Sequence, residues 1–258
     1  MAHEYSETFF DYIEQGSIDS ATQILPLIQK HLDVRSVLDV GCGRGAWLKV
    51  WAQMKVDDLC GVDGPYVDQT RLHIPSDKFV PHNLSEPFSI GRKFDLVSSL
   101  EVAEHLPRAA SERFVNSLIK HSDHVLFSAA VPGQGGEHHV NERPLRFWRG
   151  LFEKQGFVPV DFLRPLMVEE SQIKPWYRNN IVLYVHQSAI ESLAPYLQSG
   201  VVLPQQKLRN YGGLAWFIRR SIVRCLPRAV VDLIARMGAV QGARSFEKKR
   251  RTASTART

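Results

Sequence analysis

Val37-Leu38-Asp39-Val40-Gly41-Cys42-Gly43-Arg44-Gly45 is the stretch whose reading decides the fold. A short β-branched, apolar run with one acid inside it reads as a buried strand. Three glycines at alternate positions then let the backbone turn tightly and approach a ligand closely. Ala46–Met54 continues as a helix, whose first N–H groups lack partners and face the turn. Strand, glycine turn and helix in that order build a nucleotide-type site at the start of an open α/β sheet.

Working outward, six more segments read as strands: 58–63 (DLCGVD), 78–83 (KFVPHN), 94–99 (FDLVSS), 124–131 (HVLFSAAV), 157–163 (FVPVDFL) and 180–185 (NIVLYV). Helical stretches follow the fourth strand at Arg108–Lys120 and the fifth at Leu145–Gln155. That alternation predicts a doubly wound, Rossmann-like sheet of seven strands, mostly parallel, with right-handed crossovers. The last two strands, joined by a loop, read as a hairpin that makes the last strand antiparallel. Residues 8–32 form a helical cap. The expected organisation is a cap over 1–35, a ligand-binding α/β domain over 36–190 and a C-terminal extension over 191–258.

The 258 residues, 44% hydrophobic and 23% charged, exclude a disordered or fibrous chain. Cys42, Cys60 and Cys225 lie far apart with no CxxC pair, which suits a reduced, cytoplasmic protein and not a cysteine zinc site. The polar N-terminus carries no secretory signal, and no apolar run is long enough to span a bilayer. Charge is uneven. Residues 205–258 hold 13 of the 32 basic and 2 of the 27 acidic residues, so 1–204 is net −6 although the whole chain is +5. An acidic body gives no strong nucleic-acid signal.

The glycine spacing is GxGxG and not the GxGxxG of a dinucleotide turn, which argues against a pyrophosphate. Asp63 ends the second strand 18 residues after Gly45, where an acid accepts from both ribose hydroxyls. Ribose without pyrophosphate points to S-adenosylmethionine.

At VLDVGCGRGAWL (37–48), GVDG (61–64), PHNLSEPF (81–88) and FDLVSSLEVAEHLP (94–107), the chain resembles the class I S-adenosylmethionine-dependent methyltransferases, over about residues 5–187. The resemblance implies that Asp39 with Gly41, Cys42, Gly43 and Gly45 holds the amino-acid part of the cofactor and that Asp63, beside Gly64, holds the ribose. Asn83-Leu84 falls where such enzymes carry an Asp-Leu pair near the adenine, with Asn departing from that Asp. Leu100 and Glu101 complete the expected cofactor contacts.

Glu101-Val102-Ala103-Glu104-His105 follows the fourth strand, where ligands bind in such sheets. If the segment is helical, the two acids and the histidine share one face. Two carboxylates and an imidazole suit Mg²⁺ or Mn²⁺. The ExxEH segment with a downstream histidine resembles metal-dependent small-RNA terminal 2′-O-methyltransferases, and ExxEH alone resembles ubiquinone-biosynthesis O-methyltransferases. By that resemblance Glu101, Glu104, His105 and one of His138 or His139, with His139 preferred, hold the ion. Without a metal, His105 or His139 is the expected general base.

Residues 127–157, with RPLM (164–167) and PWYRNNIVLYV (175–185), are similar to methyltransferases of bacterial surface-glycan biosynthesis. That implies a small-molecule or glycan substrate, with methyl transfer to a sugar hydroxyl. Trp148, Trp176 and Tyr177 are then expected to stack on a sugar face, and Arg143, Arg146 and Arg178 to meet a phosphate. Leu214–Arg224 and Ala229–Met237 read as two amphipathic helices broken at Pro227, fit for peripheral contact with an anionic membrane at its inner face. The end, 247–258, reads as disordered. The rival readings are an RNA-terminal or small-molecule O-methyltransferase and a noncatalytic, membrane-associated cofactor-binding protein.

Overall fold

The computed structural model describes residues 7–227, 229–238 and 240–242, with side chains from residue 14 onward. The polar first residues and the 247–258 end, expected to be disordered, lie outside the described residues. Helix α1 (Glu7–Gln29) is the cap, and it turns Ala21, Ile24, Leu25 and Ile28, one helical face, into the core. Strand β1 (Ser36–Val40) leads through the glycine turn into α2 (Ala46–Gln53), followed by β2 (Asp58–Asp63), β3 (Phe79–Pro81) and β4 (Leu96–Leu100). Helix α3 (Ser111–Ile119), β5 (His124–Ser128), α4 (Leu145–Glu153) and β6 (Phe157–Val160) come next. Helices α5 (Leu163–Met167) and α6 (Pro175–Asn180) precede β7 (Val182–His186), and α7 (Pro195–Ser199) and α8 (Leu214–Cys225) follow it.

The strands form one seven-stranded sheet in the order β3-β2-β1-β4-β5-β7-β6. β1 to β5 run parallel, and β7 lies antiparallel between β5 and β6. The expected architecture is the observed one. Both faces of the sheet are covered, so neighbouring strand residues bury in opposite clusters: Val37 and Leu96 under α1 and α2, Leu38 and Val97 under α3 and α4. On the second face Phe152 stacks on Tyr184 at 4.0 Å between ring centroids.

Several expected strands end early. The 124–131 run stops at Ser128, because Ala129, Ala130 and Val131 are buried as loop. The 157–163 run stops at Val160, where Asp161 N–H turns away to Gly200 O and its carboxylate binds the buried Arg164 at 2.5–2.8 Å. The connection between the last two strands, expected to be a loop, carries the short helices α5 and α6.

Residues 200–202 run beside β6, with Val202 N–H on Pro159 O, while Arg149 donates to the carbonyls of Val202, Leu203 and Gln206. No helix among the described residues is long and apolar enough to cross a membrane. Cys42, Cys60 and Cys225 are unbridged.

Candidate active site

The strand order reverses between β1 and β4, and the loops after β1, β2 and β4 open a cleft of about 440 Å³ there. Gly41, Asp63, Gly64, Asn83, Leu84, Glu101 and His105 are among its walls. A larger depression, about 620 Å³, lies at the opposite end of the strands around Lys93, Asp123 and His186. It lacks the glycine turn and the acid–histidine cluster, so the smaller cleft holds the chemistry.

Gly41, Gly43 and Gly45 all have left-handed backbone, with φ of 81°, 55° and 88°. At Gly41 a Cβ would lie 2.2 Å from a Val102 methyl, so this position excludes any side chain. The turn presents Gly43 N–H to Asp63 Oδ2 at 2.6 Å, while Asp63 Oδ1 accepts from Gly64 N–H and the Tyr66 hydroxyl, each at 2.6 Å. Asp39 is buried beneath the turn and accepts from Ser98 Oγ at 2.7 Å. Burial, opposed by the Ser98 bond and reinforced by the Asp63 charge, pushes its carboxyl up to about 7. The cap helix reaches the turn as well: Glu14 engages both Arg44 and His73.

Of the other expected cofactor residues, Asn83 is exposed on the rim and Leu84 buried in the wall, whereas Cys42 and Leu100 are buried. Leu100 belongs to the apolar cluster under α1 and α2 and is absent from the lining.

On the β4 side the segment is not α-helical. Glu101 is left-handed (φ 59°), and Ala103–His105 is a single 3₁₀ turn. The shared helical face expected of Glu101, Glu104 and His105 therefore does not form. Glu101 points away, accepting from Gln134 Nε2 at 2.5 Å and more distantly from Asn180 Nδ2 at 3.4 Å; Asn180 also donates to Gln134 Oε1 at 2.7 Å. Burial raises its pKa against those hydrogen bonds.

Glu104, His105 and His139 do converge, each offering a ligand atom within 4.8 Å of the others. The loops carrying them are stitched together: Val140 and Asn141 N–H both donate to Glu104 O, and Asn141 Nδ2 donates to Ser111 Oγ. The two imidazoles meet edge to face at 4.9 Å.

Neither carboxylate oxygen of Glu104 has a well-formed hydrogen bond, although both are buried; the N–H groups of Glu104 and Ala130 lie near them, and His139 Nε2 stands 4.0 Å from Oε1. Burial first, and then the neighbouring Glu101, pushes its carboxyl well above the usual range. Behind His139, Glu142 Oε1 lies 3.0 Å from Nδ1 and fixes the ring; the carboxylate also accepts from Gly133 and Gly135 N–H. Burial opposes the ionised form of Glu142, and these bonds outweigh it to lower its pKa.

His105 is exposed at the mouth of the cluster, and desolvation of its inner edge and then the neighbouring His139 lower its pKa to about 4. His138 is left-handed (φ 58°) and lies outside the cluster.

The aromatic expectation is corrected. Trp148 is fully buried against Phe127, and Tyr177 is buried against Trp47, so neither presents a face to a sugar; Trp176 is half-buried on the same core. The expected phosphate contacts are likewise not assembled: Arg143 binds Asn141 Oδ1, Arg178 reaches Val168 O, and Arg146 is exposed. Tyr66, Ser98, Gln134, Glu142 and Asn180 were not legible as site residues; only Tyr66 and Glu142 carried a signal, each three residues beyond a group it serves.

The methyltransferase-domain family model matches residues 12–164, more than half of the chain. The chain belongs to that family. It is accordingly an S-adenosylmethionine-dependent methyltransferase. Among solved structures it is similar to the sugar N-methyltransferase KedS8 from Streptoalloteichus sp ATCC 53650 (15% identity, 71% of this chain and 93% of that chain, TM-score 0.55). It is also similar to magnesium protoporphyrin IX methyltransferase (ChlM) from Synechocystis PCC 6803 with bound SAM (17% identity, 72% and 87%, TM-score 0.50). At these identities the likeness is one of fold. No curated protein sequence matches the chain.

Proposed function

We propose that this methyltransferase acts on a hydroxyl oxygen of a sugar, with a divalent cation held by Glu104, His105 and His139. The observation that carries the reading is Glu104, a buried carboxylate with no well-formed hydrogen bond on either oxygen and two imidazoles beside it. Such a group is costly to bury unless a proton or a cation offsets it. With Glu101 engaged elsewhere, the donors are two nitrogens and one carboxylate, which suit Mn²⁺ better than Mg²⁺. The Glu142 contact supports the same reading, because a histidine that ligates through Nε2 is ordinarily oriented by an acceptor on Nδ1.

A cation there supplies Lewis acidity to a poorly nucleophilic hydroxyl and a second contact for a vicinal diol. The protein's own groups do the rest. Asp63 takes the ribose of S-adenosylmethionine, the glycine turn its amino-acid end, and the β4 and β5 loops hold the acceptor in line with the methyl group. Glu101, in the cleft wall, is held by Gln134 and Asn180 and fixes that wall beside the acceptor. A sugar acceptor agrees with the activity of the KedS8 fold relative, although that enzyme methylates nitrogen.

The test is methyl transfer from labelled S-adenosylmethionine to a panel of sugars and nucleotide sugars, with Mn²⁺ or with EDTA. The expected product is an O-methyl sugar that chelation abolishes. In parallel, Glu142→Gln should weaken Mn²⁺ affinity roughly 10- to 100-fold by calorimetry. Transfer indifferent to chelation, or found only on an amine or on RNA, would overturn the proposal.

A further inference from the structure

The C-terminal helices turn their apolar residues outward. On α8, Leu214, Phe217, Ile218, Ile222 and Cys225 recur at helical spacing on one face, with Leu214 74%, Phe217 57% and Ile222 58% exposed. The next helical stretch, 229–238, repeats the pattern with Val230, Leu233, Ile234 and Met237, all exposed. A surface helix packed on its own core shows the opposite arrangement.

The inner faces of both stretches grip the loop after β5. Arg220 donates to Pro132 O at 2.9 and 3.1 Å, Arg219 donates to Gln134 O at 2.8 Å, and Arg236 pairs with Glu137 at 3.2 Å. Val223 and Val231 both close on Gly135, within 3.4 Å of where its Cβ would stand. Gly133 is left-handed (φ 81°), and its absent Cβ would lie 2.2 Å from Arg220 O. This loop leads directly into His139.

We propose that the helical pair docks on an anionic lipid surface, its two apolar stripes in the headgroup region, while its inner face holds the His139 loop. Charge selects this occupant. Residues 205–258 carry 13 basic residues against Asp232 and Glu247, so pairing two copies here would bring two strongly positive segments together. An anionic bilayer neutralises them and takes up the apolar stripes at once, the pattern of an interfacial helix.

The experiment is co-sedimentation of the full chain with vesicles of phosphatidylcholine alone and with roughly a third phosphatidylglycerol. The expected result is pelleting with the anionic vesicles only, weakened by added salt. Phe217→Glu/Ile222→Glu should lower vesicle affinity at least roughly tenfold, while S-adenosylhomocysteine binding stays unchanged. Leu233→Glu/Met237→Glu on the second stretch provides the same readout should the first pair fail to fold. Absence of pelleting by the unaltered chain overturns the proposal. So does vesicle binding that both pairs leave intact, a concentration-dependent dimer that they dissociate without any vesicle binding, or salt-sensitive RNA binding in place of lipid binding.

Discussion

On the β1–β2 side of the cleft, the working groups are close in sequence and largely main-chain: left-handed glycines, the N–H groups of Gly43 and Gly64, and two acids, Asp39 and Asp63. On the β4–β5 side they are side chains gathered from residues 101–105, 134–142 and 180, held by bonds between loops. The first side is shaped before any ligand arrives, because backbone geometry fixes it. The second depends on long-range packing, and it leaves a buried carboxylate without a well-formed hydrogen bond. Under the proposed reading, the first side takes the cofactor and the second the acceptor.

That division is tested most severely by Asp63→Ala. Removing a charged acceptor of two ligand hydrogen bonds should weaken S-adenosylhomocysteine binding about 100-fold or more, measured by calorimetry. Glu104→Gln, across the cleft, should leave the same affinity within about threefold. Similar losses in the two variants would show that the halves are one cooperative unit and break the comparison.

A smaller effect follows from Asp39. Its folded pKa is raised to about 7, so in the ligand-free protein the neutral form is favoured. The stability this contributes is fully present in acid and is lost as pH rises from the ordinary carboxylate range through 7. Binding has the opposite sign if the cofactor's ammonium needs the ionised acid. Affinity for S-adenosylhomocysteine should then rise roughly tenfold from pH 6 to pH 8, and Asp39→Asn should flatten the profile. A flat profile in the unaltered chain would place Asp39 outside the ligand's charge balance.

The same contrast explains what the sequence made legible. The glycine turn, Asp63 and the order of strands were readable because each depends on residues within one strand-turn-helix unit or on periodicity. The pairing of Glu104, His105 and His139 was readable in outline from two short segments, each following a strand. The departure of Glu101 was not, because its partners Gln134 and Asn180 come from a loop and from the end of α6, whose positions only the assembled sheet sets. Trp148 misled for a related reason: an aromatic in an amphipathic helix reads equally well as surface or core, and the Phe127 ring that buries it comes from β5. The short α5 and α6 escaped notice because five or six residues are too few to show a helical period.

The finest distinction lies within the cofactor side itself, at Tyr66. Its hydroxyl donates to Asp63 Oδ1 while its ring remains largely exposed above Gly64. Asp63 is thus the proposed acceptor for ribose hydroxyls and already the acceptor for a phenol. Ribose binding must exchange one donor for another, and the gain is the difference between the two bonds. Tyr66→Phe removes the competitor without removing the ring, so S-adenosylhomocysteine affinity should rise two- to tenfold by calorimetry, the scale of one net hydrogen bond. Weaker binding in this variant would mean that the phenol stays beside Asp63 and helps to hold the ligand, and that this side of the cleft relies on a side chain as the acceptor side does.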